Sequence, residues 1–201
     1  MYLPKIREIK EALVSFFSPA YTTKFPATPY KPAEEYRGFP RYNEDFCIGC
    51  GACAQVCPSD AITIYDDPEK FVRKMVVDYA SCIQCGQCHE KCTTTNGIVN
   101  TVEYSFPVSD LKAHDAIESI EKELVVCECC GEVIACSDHL NWIKERLGAK
   151  AYAHPNLLLN TQRTLMDLDP SRPKDRLRRE DYMKFTCSRC RQKIVISDEF
   201  A

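Results

Sequence analysis

The sequence lacks the short motifs that mark the commonest classes of enzyme. It contains no glycine-rich nucleotide-binding turn, no G-x-S-x-G nucleophile elbow, no zinc-hydrolase helix motif and no flavin fingerprint. Its 201 residues suffice for one ordinary domain or two small ones, but not for a large catalytic core around a deep pocket. We therefore expect no catalytic residues and no small-molecule substrate of its own.

Long apolar runs and an excess of positive charge are missing as well. The best apolar stretch near the start of the chain, residues 12–17, is far too short to span a bilayer, and the preceding residues do not form the pattern of a signal peptide. These absences predict a cytoplasmic location. A formal net charge of -3 gives no general attraction to phosphate backbones, so we expect no nucleic-acid partner.

Cysteine, in contrast, is abundant, and its 14 copies fall into three groups. In a reducing cytoplasm, closely spaced cysteines are metal ligands more often than disulfides. Two groups have the spacing C-x2-C-x2-C-x3-C, which is typical of 4Fe-4S sites; Pro58 follows the first and Thr93 follows the second. Gly49, Gly51 and Gly86 allow the loops to turn their amides toward a cluster. The groups are Cys47, Cys50, Cys53 and Cys57, and Cys82, Cys85, Cys88 and Cys92.

The doubled motif predicts two clusters with crossed ligands. In two-cluster ferredoxins the fourth cysteine of each run ligates the other cluster. We therefore assign Cys57 to the second cluster and Cys92 to the first. The first set is Cys47, Cys50, Cys53 and Cys92, and the second is Cys82, Cys85, Cys88 and Cys57. Crossed ligation makes each cluster a link between the two halves of a small fold.

The third group consists of two widely separated C-x2-C knuckles. Cys127 and Cys130 precede Gly131, and Cys187 and Cys190 lie far downstream. Four sulfur ligands at this spacing predict one structural zinc ion in a ribbon-like module with a helical insertion.

Other metals and ligands are compatible with this third group. A rubredoxin-like single iron or a third iron–sulfur cluster are the alternatives, since Cys129 and Cys136 supply further thiols nearby. His139 offers a replacement for one zinc sulfur. The lone histidines otherwise fit surface or packing positions.

Apolar spacing predicts the secondary structure around these groups. We expect an amphipathic helix over residues 4–17, an extended proline-rich arm over 18–40, and strands over 61–65 and 75–79. Asp110 is predicted to cap a helix that carries Ile117, Ile120 and Leu124 on one side. Ser137 is predicted to cap another helix, which ends at Gly148. The mixed-charge segment 169–181 is predicted to be an exposed loop.

Three domains follow from this organisation. Residues 1–44 form an N-terminal helix and docking arm, residues 45–109 a domain with two 4Fe-4S clusters, and residues 110–201 a C-terminal cysteine-knuckle module. More than half of the chain lies outside the cluster-binding domain, and docking in a permanent assembly would explain these additional parts.

Residues 45–102 resemble the bacterial 8Fe ferredoxin fold, a pseudo-symmetric pair of strand–helix–strand units. The resemblance implies an α+β fold with a ferredoxin-like core. The second motif departs from the family pattern, because Thr93, Thr94 and Thr95 follow Cys92 where a proline is usual. We expect these hydroxyl groups to donate hydrogen bonds that tune the nearby cluster.

The whole arrangement resembles the two-cluster ferredoxin-like subunit of complex I-like enzymes. The N-terminal helix, the arm that ends in Tyr36-Arg37-Gly38, the doubled motif and the two knuckles carry this resemblance. It is strongest to the subunit in formate hydrogenlyase, in membrane-bound group 4 nickel–iron hydrogenases and in their sulfur-reducing relatives. The resemblance implies an electron-relay subunit bound peripherally at the cytoplasmic side of the membrane. Its partners would be a small cluster-bearing subunit, a large catalytic subunit and an ion-pumping membrane arm.

Two other functions are compatible with the same motifs. A free soluble two-cluster ferredoxin would use the same chemistry without permanent partners. A zinc-ribbon assembly or transcription factor would use its clusters structurally, and the acidic composition argues against it.

Overall fold

Helices and strands alternate along a chain that divides into two compact units, residues 1–34 and 35–201. The computed structural model describes residues 5–22, 24–25, 27–28, 30–105, 116–166 and 184–200. In chain order the elements are α1 (Ile6–Phe17), β1 (Pro40–Tyr42), α2 (Ala52–Gln55), β2 (Ile62–Asp67), β3 (Val72–Asp78), α3 (Gln87–Glu90), β4 (Ile98–Asn100), β5 (Ile117–Val126), β6 (Val133–Cys136), α4 (Ser137–Leu147), a 3-10 helix (Gly148–Ala153), α5 (Pro155–Leu165) and α6 (Ser188–Phe200).

The first unit contains the amphipathic helix that the apolar spacing predicts. The helix begins after Lys5, whose backbone N–H donates a hydrogen bond of 3.0 Å to the Glu8 carboxylate. Its apolar side chains are exposed, and no described residue of α1 is buried within this unit. Between α1 and β1 the described residues form turns and bends without a helix or strand, as expected for a proline-rich arm.

A four-stranded antiparallel sheet, in the order β2-β3-β5-β6, forms the centre of the second unit. β2 and β3 confirm the two predicted strands. The predicted helix carrying Ile117, Ile120 and Leu124 is wrong, because Ile117–Val126 is strand β5, whose residues 117–123 pair with β3. The residues assigned by sequence to the cluster domain and to the knuckle module thus share one sheet. The three-domain division stays a prediction.

A second, two-stranded sheet joins the end of the arm to the cluster-binding residues. β1 pairs with β4, and the Gly38 N–H donates a hydrogen bond of 2.7 Å to the Thr101 carbonyl. A Cβ atom at Gly38 would lie 2.1 Å from the Glu103 carbonyl oxygen, so only glycine allows this close approach. The buried Tyr79 hydroxyl donates a hydrogen bond of 2.9 Å to the Pro40 carbonyl. Residues 38–42 therefore belong to the second unit.

Three groups of buried apolar residues hold the second unit together. One contains two motif cysteines together with aliphatic and aromatic residues: Cys53, Ile62, Val77, Tyr79, Cys88 and Ile98. Another lies between β3, β5 and the first cysteine loop: Cys47, Met75 and Ile120. The third packs the helices against β5 and the second knuckle: Val125, Leu140, Ala151, Leu157, Leu159 and Phe185. Burial of apolar surface is the main favourable contribution to the free energy of folding, and the buried cysteine side chains add to it.

The C-terminal part is mostly helical. The predicted helix at residues 137–147 is present as α4 and ends at Gly148, but its N-cap residue is Cys136, and Ser137 is its first helical residue. Helices α5 and α6 follow the 3-10 helix. The predicted loop at residues 169–181 lies outside the described residues. In the part of the chain that the structure describes, no helix is both long and apolar enough for a bilayer crossing.

Candidate metal centres

Two cavities are each lined by four motif cysteines. The first is lined by Cys47, Cys50, Cys53 and Cys92. The second is lined by Cys57, Cys82, Cys85 and Cys88. In each cavity three cysteines come from one motif and the fourth comes from the other motif. Cys53 and Cys88 lie in the same apolar cluster, which makes the two cavities neighbours.

Each cavity is formed by a loop that turns into a one-turn helix. Gly51 precedes α2 with φ of 78° and Gly86 precedes α3 with φ of 78°, a left-handed conformation that favours glycine. These turns place Cys53 in α2 and Cys88 in α3, with their side chains buried. The two halves of the site thus have the same local geometry, as expected for a duplicated motif.

The protonation of the cysteines differs by position in the motif. Burial raises the pKa of the Cys53 thiol to about 12 and that of the Cys88 thiol to about 11. Burial also acts on Cys57 and Cys92, but hydrogen bonds from Ser59 and Thr94 and from nearby backbone amides outweigh it and lower their pKa. Metal binding must therefore displace protons from the buried thiols.

Charged side chains of the sheet hold the loop that carries the first three cysteines. Arg73 Nη1 donates a hydrogen bond of 2.8 Å to the Gly49 carbonyl, and the same guanidinium makes a bidentate pair with Asp66 at 2.7 and 2.8 Å. Lys122, the neighbour of Arg73 on β5, donates a hydrogen bond of 2.7 Å to the Glu44 carbonyl. Strands β3 and β5 thereby fix this loop from one side.

Hydroxyl groups lie near several cluster-site sulfur atoms. Thr93 Oγ1 lies 3.3 Å from Cys50 Sγ, and Thr94 Oγ1 lies 3.5 Å from Cys92 Sγ. In the second cavity Ser59 Oγ lies 3.7 Å from Cys57 Sγ. These contacts put hydroxyl groups where hydrogen bonds to thiolate ligands form.

The third cysteine group is also brought together. The sulfur atoms of Cys127, Cys130, Cys187 and Cys190 all lie within 4.8 Å of one another. Cys130 Sγ and Cys187 Sγ are 3.7 Å apart, close to the edge of about 3.8 Å that four zinc–sulfur bonds of about 2.3 Å give in a tetrahedron. Among the residues with described side chains, no histidine joins this group, and His139 lies outside it.

A hydrogen-bonded frame fixes the second knuckle next to the first. The buried Asn156 side chain accepts a hydrogen bond of 3.3 Å from the Thr186 N–H and donates one of 3.0 Å to the Thr186 carbonyl. Glu128 forms a buried ion pair with Arg163, whose guanidinium also stacks 4.7 Å from the Phe185 ring centre. Sequence spacing gives no indication of these contacts, because the residues come from three separate segments.

The two remaining cysteines do not join the third group. Cys129 is exposed, and its sulfur is not among the clustered atoms. Cys136 is fully buried at the end of β6, where its thiol donates a hydrogen bond of 3.4 Å to the Gly49 carbonyl. Burial raises its pKa to about 11, so it is a protonated thiol at neutral pH. Cys136 thus contacts the first cluster loop rather than the knuckles.

Comparison with known proteins agrees with this geometry. Residues 46–96 match the model of the 4Fe-4S dicluster domain. The chain is 30% identical over 100 residues to NADH-quinone oxidoreductase subunit I 2 of Geobacter metallireducens, covering 46% of this chain and 76% of the relative. It is 41% identical over 46 residues to formate hydrogenlyase subunit 6 of Escherichia coli, covering 23% of this chain and 26% of the relative.

A solved structure also matches: that of the membrane-bound sulfane sulfur reductase, an archaeal respiratory membrane complex. The identity is 28%, the match covers 52% of this chain and 56% of that chain, and the TM-score is 0.38. Among the curated relatives, the chain spans less than half the length of several, for example 44% of one NAD(P)H-quinone oxidoreductase subunit I.

These matches define an iron–sulfur protein with a ferredoxin-like 4Fe-4S domain. The chain belongs to the family of NADH-quinone oxidoreductase subunit I. The predicted resemblance to electron-transfer subunits of complex I-like and hydrogenlyase-like complexes is confirmed. The ligand assignments within the chain and the zinc module stay predictions.

Proposed function

We propose that the chain is an electron-relay subunit of a membrane-associated respiratory oxidoreductase and that it binds two 4Fe-4S clusters. When bound, each cluster accepts and releases one electron, without bonds being made or broken in a substrate. The observation that carries the proposal is the crossing of Cys57 and Cys92, which completes two neighbouring four-cysteine cavities. Four thiolates around a glycine-turned loop suit a cubane cluster.

Zinc is the metal proposed for the third group. The residues fit it, because four cysteine sulfurs lie within 4.8 Å of one another. The ion would connect the turn between β5 and β6 to the start of α6 and supply folding energy, with no part in electron transfer. Cys127, Cys130, Cys187 and Cys190 would hold it.

The proposed partners follow from the relatives. These relatives are subunits of quinone oxidoreductases and of formate hydrogenlyase. The proposed assembly contains a small cluster-bearing subunit, a large catalytic subunit and a membrane arm, with this chain at its cytoplasmic side. The exposed apolar face of α1, including Ile6, Leu13 and Phe16, supplies a surface that a partner would cover.

Metal analysis of the natively purified protein tests the cofactors. We expect about eight iron and eight sulfide per chain with one zinc. Extra iron without zinc would assign the third group to a single iron or a further cluster. Fewer than about eight iron would contradict the two-cluster proposal.

Truncation tests the relay role separately. Residues 1–34 form their own compact unit, and both partners of the Gly38 hydrogen bond lie in the second unit and are kept when residues 1–34 are removed. We expect the truncated protein to keep its iron and to lose its association with the membrane fraction.

A full-length protein that purifies as a monomer without membranes would instead indicate a free ferredoxin. Salt-dependent binding to nucleic acid would revive the assembly-factor alternative.

A further inference from the structure

Thr93 breaks the symmetry between the two cluster sites. It directly follows Cys92, the fourth cysteine of the second motif, whereas Pro58 directly follows Cys57 in the first. Proline has neither a hydroxyl nor a backbone N–H to donate. The equivalent positions of the duplicated motif therefore differ in the ability to donate a hydrogen bond.

The Thr93 hydroxyl reaches a ligand of the first cavity. Its Oγ1 lies 3.3 Å from Cys50 Sγ, although the two residues are 43 positions apart in the chain. A cysteine bound to iron has lost its proton, so the threonine hydroxyl must be the donor in the loaded protein. Among the residues that the structure describes, Cys50 Sγ is the acceptor within reach of this hydroxyl group.

The neighbouring hydroxyl groups, those of Thr94 and Ser59, do not favour the first site in the same way. Thr94 and Ser59 occupy equivalent positions and lie 3.5 and 3.7 Å from Cys92 and Cys57 respectively. Thr94 has one hydroxyl hydrogen, and its closer acceptor is the Phe46 carbonyl at 2.9 Å. Ser59 is therefore the hydroxyl donor of the second site, at 3.7 Å from Cys57 Sγ, and Thr93 gives the first site a closer donor, at 3.3 Å from Cys50 Sγ.

The cationic side chains beside the first site also stabilise negative charge there. Arg73 and Lys122 donate hydrogen bonds to the Gly49 and Glu44 carbonyls, and their side chains are only 15% and 11% exposed. Each also pairs with a carboxylate, which reduces its net effect. At the second site, Arg37 contacts the Cys85 carbonyl from an exposed position, at 3.3 Å. Salt screens an exposed cation more strongly than a mostly buried one.

We propose that Thr93 is a positioning residue that raises the reduction potential of the cluster in the first site, so that an electron shared between the two clusters resides there. Reduction adds negative charge to the cluster and its thiolates, and a hydrogen bond to a thiolate stabilises this charge. The inference rests on the proposed two-cluster function. The inference states which of the two reduction potentials is higher. The spacing of the cysteine motifs does not indicate this.

The experiment is a redox titration of the loaded protein with dithionite and mediators, followed by electron paramagnetic resonance. Thr93→Val keeps the shape of the side chain and removes the donor. We expect it to lower the higher of the two potentials by about 59 mV, which is a tenfold change in a one-electron equilibrium. Thr93→Ser restores the hydroxyl group and should restore the potential.

Two further variants distinguish a hydrogen bond from a general disturbance of the loop. Thr95→Ala removes a hydroxyl that donates to the Thr94 carbonyl at 2.6 Å and should leave both potentials unchanged. Pro58→Thr introduces a donor at the equivalent position and should raise the lower potential. Cys50→Ser identifies which signal belongs to the first site.

The outcomes separate this inference from the proposed function. Wild-type protein with fewer than about eight iron would overturn the proposed function and this inference together. A two-cluster protein whose potentials do not move in Thr93→Val overturns this inference alone. This inference is also overturned if Thr93→Val shifts the signal that Cys50→Ser leaves intact, because that signal belongs to the second site.

Discussion

Arg73 Nη1 donates a hydrogen bond of 2.8 Å to the carbonyl oxygen of Gly49, between the first two cysteines of the first motif. The guanidinium is mostly buried and donates two hydrogen bonds to the Asp66 carboxylate on the adjacent strand β2. The cysteine loop is therefore attached to the central sheet as well as to any metal that it binds. This contact connects the sheet geometry to the stability of the first cluster site.

Arg73→Met should weaken the first site selectively. The substitution leaves the Gly49 carbonyl and the Asp66 carboxylate without a charged donor, which we expect to cost about 1–3 kcal/mol. The first cluster should be lost several times faster to an iron chelator, as measured by its paramagnetic signal. Lys74→Gln is the control, because Lys74 is an exposed neighbour on β3 that pairs with Glu121. Equal loss rates in Arg73→Met and wild type would contradict the role of this contact.

Much of this site could be predicted from cysteine spacing alone. The spacing predicts which cysteines share a cavity, and the structure places them so. Strand β5 could not be predicted in the same way. Its inward-facing positions include Lys122 between Ile120 and Leu124, so the alternation is interrupted and the apolar residues have helical spacing. Lys122 is inward because it bonds to the Glu44 carbonyl and to Asp138, and both contacts depend on the folded structure.

The crossed arrangement predicts reciprocal effects of the two fourth cysteines. Cys57→Ser should impair the cluster that Cys82, Cys85 and Cys88 hold, because Cys57 lines their cavity. Cys92→Ser should impair the other cluster. Iron content and the two paramagnetic signals of each variant measure this. Loss of the first cluster in Cys57→Ser, with the second retained, would refute the assignment.

Zinc binding to the third group should strengthen as pH rises. The Cys130 side chain raises the pKa of the Cys190 thiol. For Cys187, a backbone hydrogen bond at Cys190 lowers the pKa, but interactions with Glu132 and Cys130 and burial outweigh it and raise it. Both thiols are thus protonated in metal-free protein at neutral pH, and binding must release their protons. Falling pH therefore opposes binding.

Calorimetry in buffers of different ionisation enthalpy measures this proton release directly. We expect at least two protons per zinc ion at pH 7, from Cys187 and Cys190. Cys127 contributes less, because hydrogen bonds from backbone amides outweigh burial and lower its pKa to about 6. A zinc affinity that does not change between pH 6 and pH 8 would contradict the sulfur-only site.

The buried pair of Glu128 and Arg163 predicts an asymmetry between single and double substitutions. Glu128 lies between two cysteines of the first knuckle, and its backbone N–H donates a hydrogen bond of 2.9 Å to the Phe185 carbonyl, two residues before Cys187. Both side chains are almost inaccessible, at 3% for Glu128 and 7% for Arg163. Arg163→Met leaves a buried carboxylate without its cation, which we expect to cost about 3–5 kcal/mol. Zinc should then transfer faster to a chromogenic chelator.

The double variant Glu128→Met with Arg163→Met should be more stable than Arg163→Met alone. Removing both charges removes the unpaired carboxylate, and two methionines fill similar volume with apolar atoms. Arg146→Met is the control, since Arg146 also stacks 4.7 Å from an aromatic ring, that of Trp142, but is exposed and far from the knuckle sequence. If the double variant releases zinc as fast as Arg163→Met, the loss reflects missing side-chain packing and not an uncompensated charge.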